Sequence, residues 1–74
     1  MASKLHRDLE LNRSAVRMCE AQFRKVADRL IAALAAGETV GFLASQLIAC
    51  EHSLGICRRR LAKYEALNAS ANAA

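Results

Sequence analysis

Apolar residues recur along this chain in alternating steps of four and three. In the first half the series runs Leu5, Leu9, Asn12, Val16, Cys19, Phe23, Val26, Leu30 and Ala33, with Asn12 alone polar. In the second half it runs Leu43, Leu47, Cys50, Leu54, Cys57, Leu61 and Tyr64 without a polar break. Only a helix brings residues at this spacing onto one stripe, and a stripe repeating every seven residues is a coiled-coil seam. A strand needs alternation in twos, which neither half has. Ala, Leu, Arg and Glu dominate, all good helix formers, and the chain has no proline.

Between the two runs lies Ala36-Gly37-Glu38-Thr39. Gly37 suits the left-handed position just past a helix C-terminus. Thr39 is the expected N-cap of the next helix, and Glu38 would sit near the positive end of its dipole. A connection this short makes the helices antiparallel neighbours. The expected fold is all-α: a single antiparallel two-helix hairpin, coiled-coil-like, over residues 1–74. Its parts are a helix over about 4–36, a turn at 37–39, a helix over about 40–67 and a flexible tail at 68–74, where no large apolar residue remains.

At 74 residues and a formal net charge of +4 the chain allows one domain. Apolar residues make up 54% of it, which excludes a disordered tail. A chain so short rarely builds a self-sufficient core, so association with a partner is the expected support. The longest charge-free stretch, Thr39 to Cys50, is twelve residues, too short to span a bilayer. The polar start, Met1 to Asp8, leads into no apolar leader segment. Cys19, Cys50 and Cys57 are an odd number, read as reduced thiols of a cytoplasmic protein.

The seam leaves apolar residues over. Leu11 and Met18 lie seven apart on the first helix, and Ala32 continues their line after Lys25 interrupts it. Phe42, Ala49 and Ile56 do the same on the second. Both sets occupy one heptad position, to one side of the seam. An isolated hairpin would leave them partly in water, and burying one such large side chain is worth about 1.5–3 kcal/mol. Leu11, Met18, Phe42, Ala49 and Ile56 are therefore the expected partner-binding residues, with Phe23 and Leu54 anchoring the hairpin beneath them. The periodicity alone fits a second copy, giving a four-helix bundle, or a different protein.

Little suggests chemistry. There is no phosphate-binding glycine loop and no nucleophile motif, so the chain reads as a non-enzyme without cofactor. Glu20, Arg24 and Asp28, four apart, read as solvated ion pairs along the first helix. Cys50 and Cys57 lie two turns apart, too far for one zinc ion, and no metal is expected. Arg58, Arg59, Arg60 and Lys63, approached by Arg13 and Arg17 across the hairpin, form a candidate basic patch. Phosphates would reward such a patch, but no base-stacking aromatics interleave with it, which argues against nucleic acid. Asn12 at a seam position is open to two readings, register selection or fraying near the open end, where Asn68 also lies.

A resemblance goes further. The stretch Ala32-Ala33-Leu34-Ala35-Ala36-Gly37 ends the first helix, and Gly41-Phe42-Leu43 opens the second. Ala49-Cys50-Glu51-His52-Ser53-Leu54-Gly55-Ile56 follows. Over residues 23–67 this resembles the small cytoplasmic E component of bacterial type III secretion needle assembly. The chain departs from that pattern in a longer basic N-terminal region and in the Arg58–Arg60 run. The resemblance implies a co-chaperone: a hairpin that binds a larger helical-repeat chaperone and, with it, keeps the needle subunit monomeric before export. The physical task would be to shield an apolar helix that otherwise polymerises. The alternative is a homodimeric four-helix-bundle adaptor or regulator, with nucleic acid as its candidate ligand.

Overall fold

A computed structural model describes residues 3–72. Two helices fill almost all of it: α1 over Lys4–Ala35 and α2 over Gly41–Asn72. Among the described residues there is no strand. The helices pack antiparallel into a rod of 57 × 18 × 14 Å. Its radius of gyration of 16.8 Å exceeds the roughly 11 Å of a compact chain this long. The all-α hairpin is thus the architecture of the protein.

Both ends of α1 are closed by local chemistry. The Ser3 hydroxyl accepts the N–H of His6 at 3.1 Å, which satisfies one of the free donors of the first turn. At the other end Gly37 adopts φ +72°. The N–H of Glu38 then reaches the carbonyl of Ala33 at 2.9 Å, and that of Gly37 the carbonyl of Leu34 at 3.1 Å. This pair of bonds is the Schellman closure, and it turns the chain back on itself. A Cβ on Gly37 would meet nothing within 4 Å, so the cost of adding one is purely conformational. Gly37→Ala is expected to lower stability by about 1–2 kcal/mol, a fall of several degrees in Tm by circular dichroism. Gly41→Ala, also facing open space but without the positive φ, should show no such fall.

The second helix departs from expectation at both ends. Its first bond runs from the Ala44 N–H to the Val40 carbonyl at 2.8 Å, so Val40 and not Thr39 holds the cap position. Val40 stands three residues before Leu43 and is half-buried, so it extends the seam, and packing outweighs the threonine hydroxyl. At the far end, residues 68–72 are helical rather than a flexible tail. Ala73 and Ala74, the rest of that expected tail, lie outside the described residues, as do Met1 and Ala2. With Cys19 opposite Cys57 and the helices antiparallel, Leu9, only 2% exposed, falls level with Leu67, and residues 68–72 run alongside the first turns of α1.

The core is the seam. Leu9, Val16, Val26, Ala33 and Leu54 are buried, and every other residue of the two series is half-buried. Asn12 stands inside an intact α1 and not in a frayed end, and its Nδ2 donates to the Asp8 carbonyl of its own helix at 2.7 Å. The ion pairs also differ from expectation. Arg13 pairs with Glu10 at 2.6 Å, while Glu20 faces Arg58 of the other helix at 3.9 Å instead of Arg24 along its own. Both pairs are well exposed and add little stability.

Candidate functional site

Successive residues on a helix project about 100° apart. Position relative to the seam therefore decides where each side chain goes. Leu11, Met18, Phe42, Ala49 and Ile56 each stand directly before a seam residue: Asn12, Cys19, Leu43, Cys50 and Cys57. Ile31 and Ile48 stand directly after one, Leu30 and Leu47, and so are rotated the other way. The hairpin consequently has two distinct long sides.

One side carries a groove of about 620 Å³ between the helices. Phe23, Ala27, Leu54 and Gly55 contribute its apolar lining, while Glu20, Arg24, Glu51 and Arg58 contribute two charges of each sign. Residues of both helices that follow a seam residue meet here, which places the residues that precede one on the opposite side. That opposite side holds the expected stripe. Phe42 is 79% exposed, Met18 71% and Leu11 62%. Ile56 is the least exposed of the large ones at 37%, and Ala49 is exposed as well. All five expected partner residues are thus on the surface of the isolated hairpin. Phe23, half-buried, and Leu54, buried, lie at the seam and line the groove on the other side.

Sequence reasoning passed over Ile31, Leu34, Ile48 and Leu67, all exposed large apolar residues. A signal for the two isoleucines existed: each immediately follows a seam leucine, and a residue next to a seam position cannot itself face the seam. Leu67 precedes Asn68, and so adds to the stripe side.

The basic residues divide between the two sides: Arg13, Arg17 and Arg58 each follow a seam residue and so lie on the groove side, while Arg60 and Lys63 each precede one. Arg58, Arg59 and Arg60 are consecutive, so the helix spreads them about 100° apart. Arg58 borders the groove near Glu20. Arg59 lies on the outer face of α2 near Ile48, His52 and Gly55. Lys63 stands before Tyr64, on the stripe side, and Arg17 stands after Val16, on the groove side. Arg13 is engaged by Glu10. The consecutive Arg58, Arg59 and Arg60 are thus spread around α2 itself.

Across the middle of the seam the Sγ atoms of Cys19 and Cys57 are 3.4 Å apart, and all three cysteines are free and half-buried. The hydrogen bond with Cys57, burial and the neighbouring thiols together raise the Cys19 thiol above its ordinary pKa. A raised thiol pKa in the folded state adds stability at neutral pH that is lost as the pH climbs past the ordinary thiol range. Among the described residues no group of three or more His, Cys, Asp or Glu is arranged to hold a metal ion. Nor is any described helix long and apolar enough to cross a membrane.

Among the described residues, one buried side-chain polar atom lacks a hydrogen-bond partner. The Oε1 of Gln46 is buried without a donor, although the residue as a whole is only half-buried.

The fold and surface define a class: an antiparallel helical hairpin closed by a heptad seam, with large apolar side chains left outside it. Comparison with known proteins adds no relative, since no family model, curated protein or solved structure matches the chain.

Proposed function

We propose that this hairpin is a cytoplasmic co-chaperone of a type III secretion needle subunit, acting together with a larger helical-repeat chaperone. The observation that carries the reading is the stripe of Leu11, Met18, Phe42, Ala49 and Ile56, presented to solvent along one side of a rigid rod. The scale of the exposed surface supports it. The hairpin exposes 5582 Å², about 1,100 Å² more than expected of a compact protein of 8.0 kDa. A standard protein interface covers about 800 Å² on each partner, so the excess is of the size one partner would remove.

The mechanism is physical and needs no bond-making step. A needle subunit polymerises through apolar helical surface. A preformed hairpin offers a matching apolar side whose backbone is already ordered, so little conformational entropy is lost on its part when it binds. Its charged residues, spread around the rod, keep the other faces hydrated.

The direct test mixes the purified chain with a purified needle subunit and its helical-repeat chaperone. Size exclusion with light scattering then reads the products. The expected result is one complex containing all three chains, in which the needle subunit stays monomeric when it polymerises without them. Polymerisation at an unchanged rate, with the hairpin eluting separately as a dimer of about twice its mass, would overturn the reading in favour of a homodimeric four-helix bundle.

A further inference from the structure

We propose that Cys19 and Cys57 are a built-in reversible staple, a thiol pair that closes to an intramolecular disulfide joining α1 to α2. The two residues come from different helices and stand opposite each other at the seam, 38 positions apart in sequence, with their Sγ atoms 3.4 Å from one another. To bond, the sulfurs need approach by only about 1.3 Å, to the usual separation near 2.05 Å. Neither thiol is engaged by a metal cluster among the described residues. Cys50 cannot substitute. It lies two turns from Cys57 on the same helix, and the residue of α1 level with it is Val26.

The reaction balances with a low-molecular-weight disulfide as oxidant. One cysteine of the pair, as thiolate, attacks a sulfur of that disulfide, forming a mixed disulfide and releasing one small thiol. The other cysteine then attacks the protein sulfur of the mixed disulfide, releasing the second small thiol. Two protein thiols are oxidised by two electrons, the small disulfide is reduced, and the two thiol protons end on the two released thiols. An excess of small thiol reverses both steps. The elevated Cys19 pKa keeps that thiol protonated at neutral pH, and exchange through it quickens as the pH rises.

Closure would do two things. It would shorten the loops open to the unfolded chain, because the link encloses the turn and about half of each helix. It would also prevent the helices from slipping by a heptad, which their repeating seam otherwise permits. The staple sits inside the seam, so the stripe and groove stay exposed in both redox states.

The experiment uses the full chain and oxidised glutathione at pH 8, read by intact mass, non-reducing peptide mapping and thermal melting. The expected product is a monomer lighter by about 2 Da, with the Cys19 and Cys57 peptides joined. Its Tm should stand about 10 °C or more above the reduced form and return when reductant is added. Cys50→Ser should close as the parent does, and Cys57→Ser should stop at a glutathione adduct. A lasting double adduct, a link through Cys50, or a disulfide-linked dimer would each overturn the proposal. The mapping on the unmodified chain decides the pairing even if a serine at the seam impairs folding.

Discussion

Leu54→Ala should unfold much of this hairpin. Leu54, 6% exposed, is the one buried residue of α2, whereas α1 supplies Leu9, Val16, Val26 and Ala33. By the register that sets Cys19 opposite Cys57, Leu54 lies level with Gln22, beside Phe23 near the middle of the seam. Truncating a buried leucine to alanine costs about 2–5 kcal/mol, through lost transfer energy and the cavity left behind. A domain below about 70–80 residues rarely has more than 3–5 kcal/mol in total. The expected outcome is a Tm lower by about 10 °C or more, with most of the helical signal lost at 37 °C. Leu67→Ala, at an exposed position, should change Tm by no more than a few degrees. An unchanged melting curve for Leu54→Ala would mean that something other than the seam holds the helices together.

The second large effect concerns binding. Phe42→Asp combined with Ile56→Asp should abolish capture of the chaperone–needle pair while leaving the hairpin folded. In the free protein the new carboxylate at Phe42 meets water, since that residue is 79% exposed. In the complex it would be buried against apolar surface, and an unpaired buried charge costs several kcal/mol. Because each 1.4 kcal/mol is tenfold, binding should weaken by about 100-fold or more. Titration calorimetry reads the binding, and circular dichroism checks the fold. Ile48→Asp, on the groove side, is the control and should weaken binding far less. The reverse pattern, with Ile48→Asp abolishing binding and the double variant intact, would move the interface to the groove.

These two positions also show how far a one-dimensional pattern reaches. Leu54 and Phe42 are both large apolar residues on α2, and heptad counting alone separates the core residue from the surface one. The same counting locates the seam of both helices and the turn at Gly37. It does not reveal that residues 68–72 continue α2. Their composition offers no large apolar side chain, and the residues they run alongside, the first turns of α1, are distant in sequence. Nor does it find the true cap of α2. Thr39 carries the right chemistry, but Val40 carries the packing.

The candidate site divides along the same line. Exposure of Leu11, Met18, Phe42, Ala49 and Ile56 follows from their distance from the seam within one helix, a local property. The ion pair of Glu20 with Arg58 does not, because a charged side chain has equally spaced neighbours along its own helix and across the hairpin. Likewise, three consecutive arginines look like a patch in a line of text and become three directions on a cylinder.

The sequence by itself determined that the chain forms two helices, which stripe of each is apolar, and where the chain reverses. All three depend on residue spacing and on the backbone freedom of a single glycine. The tertiary structure alone decided which residue stands opposite which. A heptad seam repeats, so neighbouring registers present nearly the same apolar faces to each other. The choice among them rests on the geometry of the turn and on packing of particular side chains across the interface. That choice put Cys19 against Cys57, Glu20 beside Arg58, and the end of α2 alongside the start of α1.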